Sequence, residues 1–140
     1  MSSRAAVRVP WECLTPSAEA AVKPHILLVE DEVPLSDLLT LYFEHNGFRV
    51  TTSGTVDRAK FLLAATKFDV VILDLNLDGQ DGLAVLHYVR AMRLDLPVII
   101  HTGLEDDTPL FRKALEGRAE GFVRKGGSLE GLLAEVRRVL

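Results

Sequence analysis

Two short apolar runs, each followed at once by acidic residues, constrain the fold of this chain more than any other feature of its sequence. Residues 26–29 precede Glu30 and Asp31, and residues 70–73 precede Asp74. Apolar runs of this length are typical of strands covered on both faces, as in a parallel sheet between two layers of helices. The carboxyl ends of such strands form the edge where ligands bind. We therefore expect the acidic residues to lie at one edge of the sheet.

The composition is that of an ordinary globular protein, with 48% hydrophobic and 26% charged residues. A net charge of −4 argues against a dominant nucleic-acid-binding surface, and the single cysteine, Cys13, excludes an internal disulfide. No stretch approaches the roughly 20 apolar residues of a membrane span, and the N-terminus lacks the apolar core of a signal peptide. We therefore expect a cytoplasmic protein.

The first residues of the chain differ from the remainder. Prolines and small residues dominate residues 1–24, and no apolar periodicity runs through them. Such a segment buries too little apolar surface to hold one structure. We therefore expect a flexible extension, followed by one domain over residues 25–140.

Strand patterns alternate with helix patterns throughout this domain. The expected strands are residues 26–29, 48–52, 69–74, 97–102 and 121–125. The expected helices run from Pro34 to Asn46, over residues 56–66, 83–92 and 109–116, and onward from Ser128, with Met92 and Leu140 among the buried positions. This alternation and right-handed crossovers predict an α/β, flavodoxin-like, doubly wound fold. Its five parallel strands have the order 2-1-3-4-5, with helices on both faces.

This strand order places the first strand beside the third, so that Glu30 and Asp31 come close to Asp74. Three carboxylates packed together would raise one another's pKa, and a bound divalent cation would relieve the repulsion. Oxygen ligands of this kind suit Mg²⁺. Taken alone, the first two acids are equally compatible with a plain loop in which Asp31 or Glu32 caps the following helix.

The fourth and fifth strands end in residues that suit an anionic ligand. The hydroxyl of Thr102 can donate to an anionic oxygen, and the ammonium of Lys125 supplies a point charge for a phosphoryl group or for the Asp74 carboxylate. Strand alternation turns His101 to the opposite side, where we expect a partly buried, hydrogen-bonded imidazole. An acid pair, a lone acid, a hydroxyl and a lysine thus follow one another at four strand ends.

With these motifs, the segment from residue 25 to residue 140 resembles a response regulator receiver domain, the phosphoacceptor module of two-component signalling. The matching segments are residues 26–32, residues 69–74 with the turn at 79–82, residues 102–103 and residues 122–125. The resemblance implies that Asp74 accepts a phosphoryl group from a sensor histidine kinase or a histidine phosphotransfer protein. It also implies a phosphoprotein that signals through a conformational switch and is not an enzyme, apart from phosphorylation and dephosphorylation of its own Asp74.

The resemblance further implies a set of residues around this aspartate. The Mg²⁺ ligands would be Glu30, Asp31, Asp74 and the backbone carbonyl of Asn76. The residues that contact the phosphoryl oxygens would be Thr102 and Lys125, and Phe122 would be the aromatic that changes rotamer with Thr102.

The expected partners are proteins. We expect the phosphodonor to contact the first helix near Leu35 and Leu38, and a downstream target or a second copy to contact the face made by the fourth helix, fifth strand and fifth helix. We expect neither direct nucleic-acid binding nor membrane contact. If the chain is a whole protein it is a stand-alone receiver, and if it is a fragment an output or kinase domain accompanies it; the sequence leaves both open.

The sequence also departs from the family pattern. Gly126 follows the lysine where proline is usual, and Asp78 stands where many members have proline. Phe122 replaces a common tyrosine. These departures keep open a receiver-like interaction scaffold that works without phosphorylation. A phosphatase of the haloacid dehalogenase type is a further alternative, but it would need an aspartate where this chain has Asn76.

Overall fold

The computed structural model describes residues 23–92, 95–103 and 108–140, so most of the expected N-terminal extension, residues 1–22, lies outside the described residues. The strands are β1 (His25–Val29), β2 (Arg49–Ser53), β3 (Val70–Leu73), β4 (Asn76–Leu77), β5 (Gln80–Asp81), β6 (Val98–Thr102) and β7 (Gly121–Arg124). The helices are α1 (Val33–His45), α2 (Val56–Ala65), α3 (Leu83–Met92), α4 (Pro109–Glu116) and α5 (Leu129–Val139).

Five of the strands form one parallel sheet in the order β2-β1-β3-β6-β7. The remaining two, β4 and β5, form an antiparallel hairpin that the sequence analysis did not predict. With the hairpin set aside, the order is the predicted 2-1-3-4-5, and the predicted fold is confirmed. Because β1 and β3 are neighbours, the chain leaves them in opposite directions, which opens a crevice at their carboxyl ends.

Alternation along the strands divides the core into two hydrophobic clusters, one on each face of the sheet. On β1, Leu27 and Val29 belong to the cluster that α2, α3 and α4 cover, whereas Ile26 and Leu28 belong to the cluster under α1 and α5. All four side chains are buried. Burial of a side chain of this size contributes about 1.5–3 kcal/mol, so the two clusters together hold both helical layers against the sheet.

Side-chain caps fix where three of the helices begin. The hydroxyl oxygens of Thr55, Thr108 and Ser128 each accept a hydrogen bond from a backbone N–H three residues further on. Such a cap contributes about 1 kcal/mol because it satisfies an N–H that has no partner within the helix. Among the described residues, no helix is long and apolar enough to cross a membrane.

Two residues predicted to be buried are instead exposed, and those predictions are wrong. Met92 is the last residue of α3, and Leu140 follows the end of α5; both side chains are largely exposed. The last fully buried residues of these helices are Val89 and Val136. The helical periodicity continues beyond these positions, but the core does not.

Arg90 on α3 forms hydrogen bonds with the segments at the amino ends of β6 and β7. Its guanidinium donates to the carbonyl oxygens of Leu96 at 2.8 Å and Gly117 at 3.1 Å. It also donates to Oε1 of Glu120 at 2.6 Å. The same glutamate oxygen accepts the backbone N–H of Val98 at 2.8 Å. One planar side chain with several donors therefore joins α3 to both strands.

Candidate functional site

Three carboxylates meet at the carboxyl ends of β1 and β3. One carboxylate oxygen from each of Glu30, Asp31 and Asp74 lies within 4.8 Å of the others. Val29 and Leu73 are register partners, so the residues that follow the two strands reach the same level of the sheet. Glu30 is 3% exposed and Asp74 is 2% exposed. The structure thus brings together the acids that the sequence analysis expected at this edge.

Lys125 places its ammonium group among these acids. Its Nζ atom lies 2.8 Å from Oδ2 of Asp74 and 2.9 Å from Oε1 of Glu30. A third carboxylate oxygen, Oε1 of Glu32, lies 3.2 Å away. Burial acts to lower the pKa of Lys125, but its hydrogen bonds to Asp74 and Glu30 and their negative charges outweigh burial and raise that pKa. The lysine is therefore a permanent cation in the site.

The pKa of Glu30 reflects both its burial and the groups around it. Burial raises the pKa of Glu30, and the nearby charge of Asp74 acts in the same direction. Hydrogen bonds from Lys125 and from the backbone N–H of Glu32, which lies 3.1 Å from Oε2, act in the opposite direction without cancelling the rise. The carboxylate is therefore held in the crevice at an electrostatic cost that a further cation would reduce.

The hairpin after β3 is tied to the site by side-chain oxygens. Oδ1 of Asp74 accepts the backbone N–H of Asn76 at 3.1 Å, and Oδ2 of Asp31 accepts the backbone N–H of Asp78 at 2.8 Å. On the other side, Oε1 of Gln80 accepts the backbone N–H of Val56 at 3.0 Å, at the start of α2. The hairpin is thus anchored both to the acids and to a helix.

Gly82 lets the chain turn back against the end of β3. A Cβ atom at this position would collide with the carbonyl oxygen of Asp74 and would lie 2.9 Å from Cα of Leu75. The backbone N–H of Gly82 also donates to the carbonyl of Leu75 at 2.9 Å, which holds this close approach. Only glycine fits this position without a shift of the backbone beside Asp74.

Asp31 and Glu32 lie in the loop between β1 and α1, but neither makes a side-chain cap of the helix among the described residues, so the predicted cap is wrong. Glu32 is the residue at the N-cap position, but its side chain accepts no capping hydrogen bond. It contacts Lys125 instead, and Asp31 accepts the N–H of Asp78. The sequence pattern predicts only a cap for Glu32; the signal that could have indicated its contact with Lys125 is the run of three acids after the first strand.

Thr102 ends β6 with a buried side chain and lines a cavity of about 280 Å³ beside the acids. The other residues that line this cavity are Glu32, Asp74, Asn76, Gly103 and Lys125. The backbone N–H of Lys125, the residue after β7, donates to the carbonyl of Thr102 at 2.9 Å, so these two residues are held side by side at the ends of adjacent strands. The cavity therefore joins an acid, a hydroxyl and a cation.

Phe122 lies on β7, outside the lining of this cavity, and packs against α4. Its ring centroid is 4.6 Å from that of Phe111, with the ring planes inclined at 48°. Phe122 pairs in register with Ile100 on β6, two residues before Thr102. Thr102 and the aromatic contact with α4 thus lie on neighbouring strands, so a movement of Thr102 can reach Phe122 through β6.

His101 is buried, but the expectation of a hydrogen-bonded imidazole is wrong for one of its ring nitrogens. The residue is 7% exposed, and its Nδ1 atom has no hydrogen-bond partner in the described part of the chain. Burial, assisted by the positive charge of Lys125 and opposed by Asp74, lowers the pKa of His101 to about 4. The imidazole is therefore neutral at physiological pH.

The turn after Lys125 is built on Gly126, whose φ is 89°. Proline is restricted to a φ of about −65°, so the proline usual in the family could not stand on this backbone. Glycine adopts the conformation without steric strain. The departure at Gly126 therefore accompanies a different turn, and the lysine still reaches Asp74.

Comparison with known proteins identifies the family. Residues 26–137 match the family model of the response regulator receiver domain, and the chain belongs to this family. This membership decides against the haloacid dehalogenase alternative. The regulatory protein VirG of Agrobacterium tumefaciens (strain 15955) is 35% identical over 118 residues, which cover 83% of this chain and 43% of VirG. The chain spans about half the length of the curated relatives it matches, from 43% to 51%.

Solved structures agree with this assignment. The signal receiver domain of a putative LuxO repressor from Vibrio parahaemolyticus superposes with a TM-score of 0.77 at 26% identity, covering 84% of this chain and 90% of that chain. The response regulator TrrA of Thermotoga maritima, in complex with Mg²⁺ and BeF, gives a TM-score of 0.74 at 26% identity. That alignment covers 84% of this chain and 99% of TrrA.

Proposed function

We propose that this domain accepts a phosphoryl group on Asp74 from a sensor histidine kinase or a histidine phosphotransfer protein, and passes the signal on through protein contacts. The observation that carries the proposal is the buried Asp74 carboxylate, 2.8 Å from a permanent cation on Lys125, in the crevice of a receiver-family fold. The ammonium group of Lys125 fixes the position of this carboxylate, and its positive charge reduces the repulsion between the site and an anionic phosphodonor.

Asp74 is the nucleophile in this proposal. One of its carboxylate oxygens forms a bond to phosphorus as the bond between phosphorus and the donor's imidazole nitrogen breaks, and the imidazole leaves with the bonding electron pair. The hydrogen bond from the N–H of Asn76 to Oδ1 orients the carboxylate. The ammonium of Lys125 and the hydroxyl of Thr102 donate to oxygens of the transferred group, which is where negative charge must be balanced.

The donor set suits Mg²⁺. Glu30, Asp31 and Asp74 provide hard oxygen ligands within 4.8 Å of one another, and the backbone carbonyl of Asn76 would provide a fourth. When bound, the ion supplies positive charge to the phosphoryl oxygens. It would also offset the burial of the Glu30 carboxylate and the charge of Asp74 beside it, which together raise the pKa of Glu30.

Signal output would follow from a shift between two packings. A phosphoryl group on Asp74 adds charge and acceptor oxygens beside Thr102, and a packing in which that hydroxyl meets them gains population. The contact between Phe122 and Phe111 would transmit the change to α4. We propose that a downstream protein or a second copy of the chain contacts the face of α4, β7 and α5. The phosphodonor would contact the exposed side of α1 near Leu35 and Leu38. We place these contacts in the cytoplasm.

Acetyl phosphate with Mg²⁺, followed by intact-mass measurement, tests the assignment. Wild-type protein should gain the mass of one phosphoryl group, and Asp74→Asn should gain none. Asp78→Asn is the matched control, because Asp78 is an exposed acid in the hairpin next to the site and should leave the adduct intact. An adduct that persists in Asp74→Asn, or no adduct in any variant, would overturn the proposal and favour the phosphorylation-independent scaffold.

A further inference from the structure

We infer that Glu32 is a positioning residue that occupies the third donor of Lys125 until a phosphoryl oxygen replaces it, and so limits how readily the site accepts a phosphoryl group. The inference rests on the proposed function of Asp74. It concerns an acid outside the expected set of Mg²⁺ ligands and phosphoryl contacts.

Lys125 has no free hydrogen-bond donor to offer a phosphoryl group. An ammonium group offers three N–H donors and no more. Carboxylate oxygens of Asp74, Glu30 and Glu32 lie 2.8, 2.9 and 3.2 Å from its Nζ atom. The lysine is therefore fully engaged before any phosphoryl group arrives. For Lys125 to contact a phosphoryl oxygen, one of the three acids must give up its place.

Burial decides which acid is displaced. The side chains of Glu30 and Asp74 are 1% and 3% exposed, whereas that of Glu32 is 65% exposed. A buried carboxylate that loses its cation is left without compensation, but an exposed one is solvated by water at little loss. Glu32 is also the most distant of the three. It is therefore the partner that a phosphoryl oxygen would replace.

The local backbone allows this exchange without a change of fold. Glu32 stands at the N-cap of α1, but its side chain is not used to cap the helix. Its backbone N–H donates to Oε2 of Glu30, which fixes the main chain while the side chain rotates. Glu32 lines the same cavity as Asp74, Thr102 and Lys125, so its side chain borders the space that a phosphoryl group on Asp74 would enter.

The negative charge of Glu32 should affect different phosphodonors to different extents. The negative charge of Glu32 repels an anionic donor and competes with that donor for Lys125, and both effects increase with the donor's negative charge. Acetyl phosphate is a dianion at neutral pH, whereas phosphoramidate is protonated on nitrogen and carries less net negative charge. Neutralising Glu32 should therefore accelerate the reaction with acetyl phosphate more than the reaction with phosphoramidate.

The test compares wild type, Glu32→Gln and Glu44→Gln by intact-mass time courses with Mg²⁺ and each donor. Glu44 is an exposed glutamate near the other end of α1 and serves as the matched control. We expect Glu32→Gln to react about two- to fivefold faster with acetyl phosphate, a range set by the strength of an exposed ion pair. We expect a smaller gain with phosphoramidate and no change in Glu44→Gln.

A second measurement needs neither metal nor donor. In metal-free protein, NMR of the Lys125 ammonium group should show faster exchange of its protons with water in Glu32→Gln, because one acceptor is weakened, and wild-type exchange in Glu44→Gln. Unchanged exchange, or an unchanged or slower reaction of Glu32→Gln with acetyl phosphate, would overturn the inference. Failure of the wild type itself to form an adduct would instead count against the proposed function of Asp74.

Discussion

The ammonium group of Lys125 and the carboxylate of Glu30 lie 2.9 Å apart, and the glutamate side chain is almost completely buried. A buried carboxylate is costly without a cation beside it. Lys125 is therefore a counter-ion of the folded domain as well as a candidate contact for the phosphoryl group. The two roles make its replacement informative even without phosphorylation.

Replacing Lys125 by methionine should destabilise the metal-free domain by about 3 kcal/mol at neutral pH, because Glu30 and Asp74 lose their common cation. Urea denaturation measures the change, with Lys113→Met, an exposed lysine on α4, as the control. Burial already raises the pKa of Glu30. A raised pKa favours the folded state at low pH, so the deficit should shrink as the pH falls and Glu30 takes up a proton. A deficit that does not depend on pH would contradict this electrostatic explanation.

Gly82→Ala should destabilise the domain and disturb the site together. The added Cβ would collide with backbone atoms of Asp74 and Leu75, which side-chain rotation cannot relieve. We expect a loss of about 1–3 kcal/mol in urea denaturation and weaker binding of beryllofluoride with Mg²⁺. Gly103→Ala is the control for the stability measurement only, because a Cβ there would meet no atom of the described residues within 4 Å, although Gly103 lines the cavity. Equal stability of the two variants would show that the turn is less constrained than its geometry indicates.

Gly126→Pro should be more harmful than Gly126→Ala, although proline is the usual residue of the family at this position. Alanine can enter the left-handed region at a cost of about 1–2 kcal/mol, whereas proline cannot adopt a φ of 89° at all. The proline variant must therefore rebuild the turn that follows Lys125. Urea denaturation of both variants, with Gly127→Ala for comparison, measures their order of stability. Proline equal to or better than glycine would show that the turn readily adopts the usual family conformation.

His101 should make the domain less stable in mild acid. Its pKa is lowered to about 4 in the folded state, from the ordinary value of 6.5. The unfolded chain therefore takes up a proton before the folded one, so stability is complete above about pH 6.5 and falls as the pH decreases toward about 4. The loss due to this residue approaches about 3 kcal/mol.

His101→Leu tests this contribution by urea denaturation between about pH 7 and about pH 4.5. The variant should lose less stability than wild type over that interval, because leucine has no proton to bind. His87→Gln, an exposed histidine on α3, should keep the wild-type dependence. The same loss in His101→Leu and wild type would mean that other groups cause the acid sensitivity.

The sequence predicted the sheet well because its evidence is local and periodic. The apolar runs that became β1 and β3 are short, fully buried and followed by acids, and they needed no knowledge of the rest of the chain. The errors at Met92 and Leu140 arose because a helical period continues past the point where the core ends. The hairpin of β4 and β5 was missed because each of its strands is too short to show alternation.

The site was predictable in outline but not in its contacts. Strand order alone brings Glu30, Asp31 and Asp74 together, because register partners reach the same level at the sheet edge. The contact between Glu32 and Lys125 depends on the path of two loops and on a turn at Gly126, and no periodic pattern reports either. The lack of a partner for Nδ1 of His101 within the described part of the chain likewise depends on which polar atoms its neighbours present.

The Arg90 and Glu120 pair also restricts how the sheet can move. The guanidinium of Arg90 holds the loop before β7, and Glu120 holds the first N–H of β6, so the amino ends of both strands are fixed. Sliding of these strands along their axes would break these hydrogen bonds, so a displacement at Thr102 or Lys125, at the opposite ends, is easier as a rotation about the amino ends. A small rotation at the amino ends would then move the residues at the crevice by a larger distance.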